Sequence, residues 1–271
     1  MVSMSTIVSL SISTVIWLVF PLIVLIVLKK KEKFSIKPVL IGAAVFIVFA
    51  MILERLLHMV VIGNNLITNS VLFSIYAALT AGVFEETGRF IAFKTLLKRN
   101  TEWKNGLAYG IGHGGIEAIL IGAVTGVQYL VFSYMINNGT FDAMLGAKIP
   151  ASQLSQLQLI KEQLLMTQAN GIALTIFGIF ERFFAMGIQI ALTMVVLYAV
   201  KYRKNIYLVL AIILHALMDI PAALYQMKII TNIYMIEVMI GIYFIIGLIF
   251  LIKSKKIFIN KDTQLQQTIN V

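Results

Sequence analysis

Three short stretches of this 271-residue chain carry side chains able to move protons or hold a metal, each at helical spacing. Glu85 and Glu86 are followed one turn later by Arg89, His113 by Glu117, and His215 by Asp219. Residues three or four apart share a helix face, so each stretch presents one polar patch. Such a combination suits hydrolysis of an amide, which needs an activated water, a proton donor for the leaving amine and donors for the oxyanion. A buried glutamate serves as the base, histidines carry protons, and a guanidinium orients one carboxylate. The same imidazoles and acids also make a credible zinc set, and they could equally line a proton path.

The elements that hold these patches are apolar. Sixty per cent of the chain is hydrophobic and 13% is charged, with a mean hydropathy of +0.93. A soluble domain carries about a quarter charged residues, so a water-soluble enzyme and a disordered chain are both excluded. The net charge of +10 has little solvated surface on which to form a nucleic-acid patch. The chain has no cysteine, which excludes disulfides, thiolate metal sites and a cysteine nucleophile. Seven apolar runs, at about 5–28, 38–62, 71–93, 105–135, 171–200, 206–226 and 232–252, each reach the ~20 residues that cross a bilayer as a helix. The first has no basic leader or cleavage site and is expected to remain as a helix.

Basic residues set the orientation. Sixteen Lys and Arg follow the odd-numbered spans, against three (Lys148, Lys161 and Lys228) on the other side. Cytoplasmic loops carry the excess of Lys and Arg, which places the N-terminus outside and the C-terminus in the cytoplasm. The expected fold is an all-α polytopic membrane bundle of about seven helices, a multi-pass protein of a bacterial plasma membrane. It forms a single domain over 1–260 with a catalytic core at about 71–226 and a polar tail at 261–271, expected to fray. An external segment at about 136–170 has Leu154, Leu157, Ile160, Leu164 and Leu165 at helical spacing. That pattern fits a helix on the membrane surface and fits core packing equally well.

Within this frame the polar residues are out of place. Seven of the twelve acids (Glu54, Glu85, Glu86, Glu117, Glu181, Asp219 and Glu237) and all three histidines (His58, His113 and His215) lie inside spans. Each charge there costs about 2.5–3.5 kcal/mol on insertion scales. At 1.5 Å per residue from the nearest cytoplasmic lysine, Glu86, His113 and His215 lie roughly 12, 13 and 16 Å deep. Spans 3, 4 and 6 therefore deliver acids and histidines to one layer. Glu54–Arg55 with His58, and Glu181–Arg182, lie in the outer half and read as paired charge. Small residues every fourth position (Gly106, Gly110, Gly114, Ala118, Gly122 and Gly126) let another helix approach span 4 closely. Pro221 frees a backbone carbonyl just past Asp219 and predicts a kink or cavity there.

Three local sequences carry a resemblance: Phe84-Glu85-Glu86-Thr87-Gly88-Arg89, Tyr109-Gly110-Ile111-Gly112-His113 and His215-Ala216-Leu217-Met218-Asp219. Together they resemble the CAAX prenyl protease and bacteriocin-processing superfamily of intramembrane proteases, whose signature is a Glu-Glu…Arg helix, an aromatic-xxx-His helix and a His-xxx-Asn/Asp helix. Their wording is similar to the YhfC-type membrane peptidases. The resemblance covers spans 3 to 6. It implies an intramembrane endopeptidase with a glutamate-activated water: Glu85 or Glu86 as base, His113 holding the water, and His215 with Asp219 serving the oxyanion. Two departures stand out. The Glu-Glu to Arg spacing is one residue shorter than the usual signature, which leaves open which glutamate is the base. Asp219 stands where Asn is common.

The sequence reading is thus an intramembrane endopeptidase acting near the cytoplasmic side on a membrane-embedded or lipidated peptide, with the lipid bilayer as its other partner and no nucleic acid. Its catalytic residues are Glu85, Glu86, His113, His215 and Asp219, with Arg89 as orienter. A mechanism without cofactor is favoured because no HExxH motif occurs. The alternative is a zinc enzyme using His113, His215, Glu86 and Glu117. A proton- or ion-coupled transporter is the reading from another class, set back by the absence of a visible inverted repeat. A retinal photoreceptor is set aside because span 7 has no mid-membrane lysine. The orientation has a direct test in a chain without native cysteine. Asn100→Cys should resist a membrane-impermeant maleimide in intact cells while Asn138→Cys is labelled, and the reverse pattern would overturn the assignment.

Overall fold

Lipid offers a backbone no hydrogen-bond partner but itself, so apolar runs of this length close their bonds as helices. The computed structural model describes residues 1–145, 151–165 and 168–269. It is 86% helix, with no strand among the described residues. The helices are α1 (Met4–Glu32), α2 (Ile36–Phe46), α3 (Arg55–Gly63), α4 (Ser70–Lys94), α5 (Trp103–Glu117), α6 (Thr125–Asn137), α7 (Phe141–Leu145), α8 (Ala151–Leu164), α9 (Gln168–Lys201), α10 (Ile206–Gln226) and α11 (Ile233–Ile269). Two π-helical stretches, Ile47–Glu54 and Ala118–Val124, fuse α2 to α3 and α5 to α6. Among the described residues, six runs are long and apolar enough to cross a membrane: Met4–Glu32, Ile36–Gly63, Trp103–Asn137, Thr175–Lys201, Ile206–Gln226 and Ile233–Gln267. The remaining expected span, α4, has 25 residues and so the length. Its Glu85, Glu86 and Arg89 lower its apolarity, which is why it stands apart from the other six.

The chain divides into two units: residues 1–22 with 118–183, and residues 23–117 with 184–271. In the first, Gly122 and Gly126 face Trp17 and Thr14 of α1 so closely that a side chain at either would collide. Trp17 is buried against Ala118 and Ala123. Leu157, Ile160 and Leu164 of α8 pack on a cluster of Val2, Phe132, Met135 and Phe141, while Leu165 is exposed. For these residues, core packing is the account that holds. The side chain of Leu154, and Lys148, lie outside the described residues.

The second unit holds every residue expected to do chemistry except those of the outer pair Glu181–Arg182, which bond to each other. Here α5 is clasped on two sides. On one, the backbones of Gly112 and Gly42 meet the carbonyls of Val39 and Tyr109, so α2 and α5 touch main chain to main chain. On the other, Gly106, Gly110 and Gly114 lie against Met194 and Leu197, Ile190, and Met186 of α9. The small-residue ladder of span 4 thus serves α9 through its first three rungs and α1 through the later ones. Gly82 does the same for α4 and α10, where an added Cβ would sit 2.7 Å from the Ile212 carbonyl oxygen. The stretch of α9 from Ala185 to Ala199 is buried almost throughout, the mark of a helix surrounded by others. α10 continues as helix through Pro221 to Gln226.

Ion pairs fasten the basic ends. Lys255 bonds Glu32 at 2.7 Å, and Lys201 bonds Asp262 at 2.6 Å. The tail from Lys261, expected to fray, instead continues α11 to Ile269, with Asp262 held by Lys201 and by the Tyr202 hydroxyl at 2.9 Å.

Because Gly112 meets backbone, which cannot swing aside, Gly112→Ala should lower stability by at least the ~1–3 kcal/mol typical of overpacking. Gly63→Ala, with nothing within 4 Å of the added methyl, should leave it unchanged. Thermal unfolding in detergent measures both.

Candidate active site

The centre is assembled from four helices of the second unit. α4 supplies Glu85, Glu86 and Arg89 from one turn, where all three are buried. The Arg89 Nη1 donates to Glu86 Oε1 at 2.8 Å, and its Nη2 donates to Glu85 Oε2 at 3.2 Å. α5 supplies His113 and Glu117, one turn apart. The His113 Nε2 lies 2.8 Å from Glu85 Oε2. α10 supplies His215, whose Nδ1 lies 2.6 Å from Glu86 Oε1 and whose Nε2 lies 3.3 Å from Asp219 Oδ2. The seven residues predicted from sequence for this layer thus meet.

α9 supplies a residue the sequence reading did not single out. The Gln189 side-chain oxygen accepts from Arg89. Its amide nitrogen donates to Glu117 Oε2 at 2.7 Å and to Glu85 Oε2 at 3.2 Å. One neutral amide therefore ties the guanidinium to two carboxylates. The available signal was a glutamine inside an apolar span; attention to acids and histidines alone passed over it, and with it the fourth helix of the site.

The cluster is shielded from bulk solvent. His113, Glu86 and Arg89 are completely buried, and Glu85, Glu117, Gln189 and His215 nearly so. The Asp219 side chain retains 32% of its exposure and is the open edge of the group. Four carboxyl groups face one guanidinium here. A low-dielectric interior does not tolerate uncompensated charge, so protons or a bound cation must make up the difference.

A metal fits the residues present. Ligand atoms of Glu85, His113 and Glu117 lie within 4.8 Å of one another, and the Gln189 amide already bridges the two carboxylates of that trio with its positive end. One imidazole and two carboxylates form a nitrogen–oxygen set of the sort that holds catalytic divalent metals with a position left open. This set differs from the His113, His215, Glu86 and Glu117 expected from sequence. His215 and Glu86 meet each other at 2.6 Å instead, and Glu85 stands in the trio. A separate buried acid of the unit, Glu54 at the end of the first π-helical stretch, pairs with His58 at 3.1 Å, and His58 with the Tyr76 hydroxyl at 3.1 Å.

Fold and cluster together define a multi-pass integral membrane protein with a buried acid–histidine centre. Residues 16–240 match the YhfC intramembrane metalloprotease family, and the chain belongs to that family. It is 37% identical over 263 residues to the uncharacterized membrane protein YhfC of Bacillus subtilis (strain 168), a match covering 95% of this chain and all of that one. No solved structure matches this chain. The family is described as one of metalloproteases, and a trio able to hold a metal is present, so the expectation of chemistry without a cofactor finds no support.

The Arg89 contacts generate a stability prediction. Arg89→Met leaves two buried glutamates without their cation and should destabilise the protein by about 3–5 kcal/mol. Double replacement of Glu85 and Glu86 by Gln in that background should recover part of the loss. Unfolding in detergent would read an unchanged midpoint in Arg89→Met as evidence against the pairing.

Proposed function

We propose that this protein is a metal-dependent intramembrane peptidase that hydrolyses peptide bonds in or beside the cytoplasmic half of the bilayer. The observation that carries the reading is the buried Glu85–His113–Glu117 trio, with donor atoms within 4.8 Å of one another, in a chain of a metalloprotease family. These three would hold a divalent ion, for which zinc suits the donor set. When bound, such an ion supplies Lewis acidity and makes water nucleophilic near neutral pH.

The other residues have separable tasks. Arg89 and Gln189 hold the carboxylates in place, since each touches more than one of them. Glu86 gives its Oε1 to Arg89 and His215, while its Oε2 has no partner among the described residues. That free oxygen is the base that takes a proton from water. His215, oriented by Asp219, is the donor toward the peptide oxyanion or leaving amine. The peptide approaches at Asp219, where the cluster is open. A membrane-embedded or lipidated peptide is the substrate class, because only a chain already in or on the bilayer reaches this depth. The order of the three motifs supports a place in the wider CAAX prenyl protease and bacteriocin-processing superfamily. The metal-free glutamic mechanism, with Glu85 or Glu86 as base, has less support than the metal-dependent one, because Glu85 is one of the trio and the family is described as one of metalloproteases. The transporter reading has no observation in its favour.

Purified protein should contain about one zinc per chain. Chelation should abolish cleavage of membrane peptides and zinc should restore it. Glu85→Gln and His113→Ala should each lower activity by more than the ~10–100-fold that losing a residue supporting a metal ligand costs, because each would remove a ligand itself. Full cleavage by metal-stripped protein would refute the metal-dependent reading.

A further inference from the structure

His113 presents one ring nitrogen to the carboxylates and leaves the other unaccounted for. Its Nε2 meets Glu85, while its Nδ1 is buried with no hydrogen-bond partner among the described residues. Two residues linked to His113, Tyr109 by ring stacking and Arg89 through Glu85, are wholly buried and carry further atoms without a partner among the described residues: the Tyr109 hydroxyl and Arg89 Nε. Buried polar atoms are almost always satisfied, and a cluster of exceptions marks a bound water or ion. Glu86 Oε2, the fourth such atom of the region, is the proton acceptor proposed above.

The three orphans belong together. Tyr109 sits one helical turn before His113 on the same face of α5, their rings stacked at 25° with centroids 6.0 Å apart. The other side of the Tyr109 ring lies 4.8 Å from Phe93, one turn beyond Arg89 on α4. Tyr109 is therefore wedged between the helix that carries Arg89 and the imidazole of His113. Close contact of α2 with this turn, Gly42 against the Tyr109 carbonyl and Gly112 against the Val39 carbonyl, fixes its backbone. Arg89 Nε can only donate, the phenol can donate and accept, and an imidazole nitrogen does one or the other by tautomer. A single water has the donors and acceptors to join them, and two to four polar partners are what a buried water needs.

We propose that Tyr109 is a positioning residue for His113: its hydroxyl and Arg89 Nε hold a buried water that bonds His113 Nδ1 and so fixes the tautomer in which Nε2 faces Glu85 and Glu117. The inference rests on the functional reading above for its consequence but not for its geometry. A ligating histidine needs its second nitrogen held, because that bond sets ring orientation and leaves the first nitrogen free to ligate. Phenylalanine at this position would keep the stack on His113 and Phe93 and lose the water.

The test uses full-length protein with Tyr109→Phe, which retains the ring. The chain has three histidines, so nitrogen-15 histidine labelling resolves each imidazole. In metal-free wild-type protein His113 should occupy one tautomer with a hydrogen-bonded Nδ1. In Tyr109→Phe its Nδ1 resonance should shift toward a tautomer mixture while those of His58 and His215 stay in place. Zinc affinity, by competition with a chelator, should fall by about 10-fold, the lower end of what losing the support of a ligating histidine costs, in a metal-free protein that still unfolds cooperatively. Identical His113 resonances in the two proteins would overturn the proposal. Wild-type protein that takes up no zinc would overturn the metal reading instead, and the resonances would still decide the role of Tyr109.

Discussion

Arg89 lies wholly buried in α4 of a multi-pass membrane protein, and it touches two glutamates and a glutamine. Neither charge could remain there without the other. A lone carboxylate or guanidinium in hydrocarbon costs several kcal/mol, whereas a pair with its remaining bonds satisfied can be accommodated. Gln189 adds to that satisfaction. Its oxygen serves the guanidinium and its nitrogen serves two carboxylates, so α9 is bound into the charge network even though it contributes no charge. The polar centre therefore holds α4, α5, α9 and α10 in register, and those helices hold the centre away from water.

That mutual dependence needs short distances between helices, which is what the glycines provide. In lipid, helices gain nothing from hydrophobic association and rely on close packing. Gly42 and Gly112 bring α2 and α5 to backbone contact, Gly82 brings α10 onto α4, and Gly106, Gly110 and Gly114 admit α9. The two π-helical stretches end at Glu54 and begin just past Glu117. A π turn rotates the side chains that follow relative to those that precede, and such turns gather at functional sites inside helices.

Much of this was legible in the sequence because membrane burial makes polar residues conspicuous. Glu85, Glu86, Arg89, His113, Glu117, His215 and Asp219 could be placed at one depth by counting 1.5 Å per residue from flanking lysines. Depth along a helix is not rotation about it, however. The pairing of His215 with Glu86, and the choice of Glu85 for the metal-capable trio, depend on which way each helix is turned, and spacing alone does not carry that. Gln189 escaped because an amide does not announce itself as an acid does. The polar composition of α8 fitted a surface helix and a packed one equally, and only contacts with Phe132 and Phe141 decided it. The seventh expected span, α4, is set apart by the same charges that made it interesting.

The account holds that these charges are buried in order to bind a metal and cleave a peptide bond beside the inner leaflet. Anomalous scattering recorded at the zinc absorption edge, from crystals of the zinc-loaded protein, tests this most directly. The account predicts one strong peak per chain within bonding distance of Glu85, His113 and Glu117. A peak held by other residues, or Glu85 and Glu117 turned away from His113 with no metal between them, would contradict it.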